Sequence, residues 1–172
     1  MIKLFALSGS LALVALLIAP ASAESVGLSI GENLVFSSAA RSVGGTTQLN
    51  LGASFDIGPT KPLPVRASIV FDYAGGSAHG GSLSNYGGGL GVRLTTPVYL
   101  GVNALFYNVS LNPGGGLATA NRVGLGTNYF VGERLAQFPG GGSLSLQATY
   151  RQVPLVNGVD PSGLGVSLRV GF

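Results

Sequence analysis

The sequence predicts an all-β protein: an eight-stranded, antiparallel, up-and-down transmembrane β-barrel. Three observations carry that prediction. Only 9% of the residues are charged, against about 25% in a soluble globular protein, and the mean hydropathy is +0.47. Beyond the N-terminal leader, no apolar run approaches the roughly 20 residues that a membrane-spanning helix needs. The remainder divides instead into eight segments in which apolar and polar residues alternate. Lipid tolerates only helices and closed barrels as spanning structures, so an apolar chain without spanning helices points to the barrel.

The leader is read first because it sets where folding begins. Lys3 supplies a positive start, and 4–18 is apolar apart from Ser8-Gly9-Ser10. Pro20 precedes Ala21-Ser22-Ala23, the small-x-small pattern of a signal-peptidase site. About 15 apolar residues are too few for a comfortable anchor. Cleavage is therefore expected after Ala23, dividing the chain into a signal peptide, 1–23, and an outer-membrane barrel domain, 24–172. Loss of Lys3 lowers the net charge from +3 to +2. The chain has no Cys, which excludes a lipoprotein signal and a disulfide framework. Its basic balance comes from scattered Arg with no basic run, so nucleic acid is not expected as a partner.

The expected strands are 25–35, 47–57, 65–73, 86–95, 98–107, 122–131, 143–151 and 163–172. In the first, Val26, Leu28 and Ile30 face lipid, and a bulge near Gly31 to Asn33 is expected to rotate Glu32 inward. In the second, Leu49, Leu51, Ala53, Phe55 and Ile57 alternate with Gln48, Asn50, Gly52, Ser54 and Asp56. The third places Arg66 and Asp72 on the polar face. In the fourth, inward Gly87, Gly89 and Gly91 make room in a narrow lumen, with Arg93 following. The fifth ends near Phe106. The sixth is less regular, with Phe130 pointing inward, and a long connection, 132–142, follows it. The seventh carries Arg151 and Tyr150. In the last, Leu164, Val166, Leu168, Val170 and Phe172 alternate with Gly165, Ser167, Arg169 and Gly171.

Comparing the two faces decides which points outward. In segments two to eight one face is nearly all apolar and uncharged, whereas the other carries Asp56, Arg66, Asp72, Arg93, Arg151 and Arg169. The rest of that polar face is mainly Gly, Ser and Asn, too sparsely charged to clothe a soluble exterior. The arrangement with apolar side chains outward and polar ones in the lumen suits both sets. With both chain ends on the periplasmic side, Phe36, Tyr73, Tyr86, Phe106 and Tyr150 fall near the outer rim. Phe55, Tyr129 and Phe172 fall near the periplasmic rim, giving the two aromatic girdles of such barrels.

The last strand, Leu164 to Phe172, alternates and ends on an aromatic residue, and it resembles the β-signal of bacterial outer-membrane proteins. With eight strands and 149 residues after the leader, the chain resembles the small OmpA/OmpX-type barrels. It departs from them in lacking Trp in its girdles. The resemblance implies recognition by the barrel-assembly machinery, a role carried to Val170 and Phe172. It also implies residence in the bacterial outer membrane.

Chemistry is sparse. His79, the one His, lies in the glycine-rich stretch 75–82, read as an outer loop. Some eight-stranded outer-membrane enzymes are lipid hydrolases using Ser and His, but a working base needs a rigid support and an orienting partner. His79 is expected to be a solvated loop residue, with no catalytic residues elsewhere. One His and no Cys supply too few ligands for a transition metal, and no cofactor is expected. Gly114-Gly115-Gly116 and Gly140-Gly141-Gly142 lack the order of a phosphate loop and read as turns. Three function classes follow: a monomeric structural or surface-interaction barrel in outer-membrane lipid, then a narrow channel, then a lipid-modifying hydrolase. Asp56, Arg66, Arg93 and Arg169 are expected at one level near the periplasmic end, where they would form a polar plug.

Overall fold

The computed structural model describes residues 26–57, 65–94, 96–139 and 141–172. The signal peptide expected over 1–23 lies outside them. The described residues form eight strands: β1 (Val26–Val35), β2 (Thr47–Ile57), β3 (Val65–Ala78), β4 (Gly81–Leu94), β5 (Val98–Asn112), β6 (Ala120–Gln137), β7 (Ser143–Gln152) and β8 (Gly163–Gly171). Each strand pairs antiparallel with the next, and β8 pairs with β1 to close the barrel. At the seam, Val26 and Phe172 exchange both backbone hydrogen bonds, at 3.2 and 2.8 Å. Partners run from Val26 through Phe55, Ile69, Leu90, Ala104 and Thr127 to Gln152. From there they lead back through β8 to β1 about ten residues higher. That stagger tilts the strands and lets eight of them close.

The alternation places the two side-chain sets on opposite sides of the wall. Ile69, Phe71, Leu90, Val102, Leu125, Val131, Val166 and Leu168 are exposed on the outside, whereas Asn33, Gln48, Asn85, Arg93, Asn128, Arg151 and Arg169 are buried inside. An outward apolar wall of this extent is stable only against lipid, and the fold is that of a transmembrane barrel.

At the end bearing the β3–β4 turn, the end expected to lie outermost, this sense reverses. Strands β3 to β6 rise above their neighbours. There the outward positions become Ser77, Ser82, Ser84, Asn108, Ser110 and Asn121, while Ala74, Leu83, Val109 and Leu111 are buried inside. A short helix, α1 (Ser38–Gly44), joins β1 to β2 and packs into this apolar mouth. Ser37 caps it by accepting a hydrogen bond from the Ala40 amide at 3.3 Å. Ala40 is fully buried, and Val153 and Val156 of the β7–β8 connection complete the apolar cluster.

Four features differ from the sequence reading, each for a local reason. The glycine-rich stretch 75–82 is mostly strand, with a two-residue turn at His79 and Gly80 (φ 51° and 82°). Positive φ at both central positions matches the twist of a hairpin, so glycine here serves pairing instead of a loose loop. The expected connection 132–142 is likewise mostly strand. β6 runs for 18 residues to Gln137, its register shifts between Arg134 and Ala136, and the Phe138 N–H donates to Gly142 O at 2.7 Å.

The length of β6 corrects the place of Tyr129. It is the direct partner of Tyr150, and their rings stack at 6.4 Å, so it does not belong to a periplasmic girdle. Phe36 stacks on the other side of Tyr150 at 6.3 Å. Finally, β1 has no bulge. Its register with β2 and β8 is unbroken, and Glu32 is exposed on the outer face between Leu49 and Val166. Glu133, beyond the strand expected from sequence, faces outward between Val98 and Leu146.

Candidate functional site

Among the described residues charge gathers in the lumen, and it does so in two layers. The upper layer centres on Asp72 of β3. Arg151 of β7, 1% exposed, donates from Nη2 to Asp72 Oδ2 and, at 2.9 Å, to Asn85 Oδ1 of β4. The Tyr107 hydroxyl donates to Asp72 Oδ2 at 2.5 Å, and Asn128 Nδ2 donates to the same oxygen at 3.2 Å. Asn50 Nδ2 reaches Oδ1 at 3.3 Å. The Arg151 guanidinium also lies 5.8 Å from the Tyr107 ring centroid, within cation–π range. A charge this deep persists only when paired and hydrogen-bonded. Asp72 and Arg151 supply that pairing across 79 residues of sequence.

The Tyr107 ring needs space, and glycines on both neighbouring strands leave it. A Cβ at Gly87 or Gly126 would come within 2.7 or 2.8 Å of the ring. Inward glycine therefore marks where a large side chain from the next strand lies flat against the wall.

The lower layer centres on Asp56 of β2. Arg93 Nη2 of β4 lies 2.8 Å from its Oδ2, and Arg66 Nη1 of β3 lies 3.7 Å from the same oxygen. Arg66 and Arg93 are direct cross-strand partners, a like-charge pair that would repel. Asp56 offsets that repulsion by meeting both. Arg169 donates to Ser54 Oγ at 3.3 Å, and its guanidinium covers Gly27.

Between the layers lies a cavity of about 60 Å³. Arg93 and Arg169 line it below and Asp72 above, with Ser29, Ser68 and Asn103 among its walls.

All six charged residues singled out from sequence thus lie in the lumen. Asp56, Arg66 and Arg93 meet, Arg169 sits beside them, and Asp72 pairs with Arg151. Tyr107, Asn128, Asn85 and Asn50 were not singled out. Three of these share the inward parity of the charged residues, which was the available signal; Asn85 precedes the expected start of its strand. The stopper formed by α1 gave no sequence signal, because a seven-residue helix has little stability outside its packing. Val170 faces outward between Leu28 and Leu144 on the closing strand. Among the described residues, no group of three or more His, Asp or Glu side chains is placed to hold a metal.

A closed antiparallel barrel of eight strands, apolar outside and polar within, is the architecture of the small membrane-spanning barrels. No family model matches the chain, and no curated protein matches it. Among solved structures it is similar to the crystal structure of Neisserial surface protein A (NspA), with a TM-score of 0.56 and 17% identity over 86% of this chain and 95% of that one. At that identity the likeness concerns the fold. The resemblance to OmpA/OmpX-type barrels accordingly rests on pattern.

Proposed function

We propose that the chain is a non-enzymatic outer-membrane barrel with a closed lumen, whose projecting outer wall serves a structural or surface-interaction role. The observation that carries this reading is the uneven height of the wall. Residues 120–126 of β6 pair only with β5, because pairing with β7 begins at Thr127 and Gln152. The opposite edge, on β3, is covered: Gly44 O lies against Gly76, and Gly45 lies beside Ser77 O. Pro154 of the β7–β8 connection lies against Gly124, and the edge beyond it, 120–123, can accept an extended segment from another chain. Closure is supported by the two charged layers and by α1 in the mouth. His79 stands at the tip of the β3–β4 turn, and among the described residues no hydrogen-bond partner orients it as a hydrolase base requires. The leader 1–23 would direct export, and by resemblance Val170 and Phe172 would engage the assembly machinery.

The absence of native cysteine makes the test simple. In intact Gram-negative cells, Leu117→Cys in the β5–β6 connection should react with an impermeant maleimide. Gln137→Cys, at the other end of β6, should react only after lysis. The protein should fractionate with the outer membrane and migrate differently when unboiled. A soluble periplasmic product would overturn the reading, and steady conductance by the wild type would favour a channel.

A further inference from the structure

We propose that two copies of the barrel pair in the membrane through the wall formed by β8, β1 and β2, with their Glu32 carboxyls hydrogen-bonded to each other. This rests on the reading that the barrel sits in a bilayer. The observation is the place of Glu32. It is exposed on the outer face of β1, where its cross-strand neighbours are Leu49 of β2 and Val166 of β8. Ile30 and Leu34 flank it along its own strand, and all four neighbours are apolar and exposed. Among the described residues no side chain bonds or pairs with Glu32.

Depth separates this residue from the other outward acid. Glu32 lies four residues from Phe36, the outward ring just beyond β1, and six from Val26 at the barrel seam. With a rise of roughly 3.3 Å per residue and a tilt of about 40°, it sits about 10 Å from the level of that ring and about 15 Å from the seam. Neither edge of an apolar band about 25 Å tall is within reach of a glutamate side chain. Glu133, in contrast, pairs with Val98, the first residue of β5, and stands near the rim. A carboxyl held in hydrocarbon needs a hydrogen-bonding partner, and the wall around Glu32 offers none.

Symmetry supplies the partner. Copies inserted from one side of a membrane share one orientation, so a two-fold axis relating them runs along the bilayer normal and keeps each residue level with its counterpart. A residue beside that axis meets itself. In its acid form a carboxyl both donates and accepts, so two of them complete each other's hydrogen bonds. The other outward residues of β8, β1 and β2 are uncharged, and this wall therefore presents no cation for a head-to-tail contact. A monomer is the expectation from sequence, where Glu32 turns inward; facing lipid, it calls for a partner.

The lack of native cysteine lets the contact be trapped. In outer membranes of expressing Gram-negative cells, a short membrane-permeant bismaleimide should join Leu34→Cys into a dimer of this chain. Val102→Cys, exposed on β5 across the barrel from β1, should stay monomeric under the same treatment. In the Leu34→Cys background, Glu32→Leu should lower the dimer yield about tenfold, the effect of two ordinary hydrogen bonds, while the barrel stays heat-modifiable. Glu32→Gln should retain most of the dimer, because an amide also donates and accepts. The pairing is overturned if Leu34→Cys gives no dimer, if Val102→Cys or the Glu32→Leu variant is trapped equally well, or if Leu34→Cys is joined to a different protein instead. Loss of heat-modifiability in the chain with native Glu32 would instead overturn the barrel reading beneath it.

Discussion

At Asp72 one carboxylate neutralises Arg151 and accepts hydrogen bonds from three further side chains, and its removal should be felt throughout the upper layer. Asp72→Asn leaves the Arg151 guanidinium buried and uncompensated, a change expected to cost about 3–5 kcal/mol. Adding Arg151→Met should recover most of the loss, because a buried ion pair exchanged for apolar groups is often near neutral. Urea unfolding in lipid vesicles measures both, and the double mutant gives the coupling. Gly87 makes a second case at the same scale. Gly87→Ala puts a Cβ within 2.7 Å of the Tyr107 ring, and overpacking of this kind costs about 1–3 kcal/mol. The same unfolding assay should show that loss, together with a changed near-ultraviolet tyrosine signal.

For a strand, the determining property is which face a residue occupies. Leu90, 61% exposed on the outer wall, should lose about 2–4 kcal/mol on replacement by Arg. Ser68→Asn points into the polar lumen, near Asp56 across the β2–β3 pairing, and should cost less. Leu146 would be a poor site for this comparison, because its cross-strand partner on the outer face is Glu133, which could pair with an introduced Arg. If the Ser68 variant were the less stable of the two, the face assignment would be reversed. The helix α1 is held differently, through Ala40 and the Ser37 cap. Ala40→Asp forces a carboxylate into an apolar contact. It should release α1, seen as faster amide exchange over 38–44, while the barrel itself remains heat-modifiable.

Taken whole, the proposed closure of the lumen has three levels: the Asp56 layer, the Asp72 layer and the apolar mouth under α1. Wild-type protein in planar bilayers should therefore show little steady conductance, as eight-stranded interiors are filled by side chains. Arg93→Ala with Asp56→Ala should raise it only slightly, and a clear rise should require that pair together with Ala40→Asp. A large rise from the lower pair alone would show that the upper obstructions leak. Period-two alternation, legible in the sequence, determined the eight strands, their order and the facing of Asp56, Asp72, Arg93 and Arg151, because a one-residue slip would turn every side chain to the wrong side. It could not give strand ends in glycine-rich stretches: 75–82 reads as loop by composition and becomes hairpin only because its partner strands exist to bond it. Continued through β1 it places Glu32 outward with Val26, Leu28 and Ile30, and the bulge expected to turn it inward does not form, because pairing on both sides holds the register. Strand ends alone brought Asp56, Arg66 and Arg93 to one level in the sequence, and tertiary structure decided that Asp72 meets Arg151. Asp72 and Arg151 lie on strands brought across the lumen by barrel closure, and no local pattern encodes a contact that depends on the shear of the whole wall.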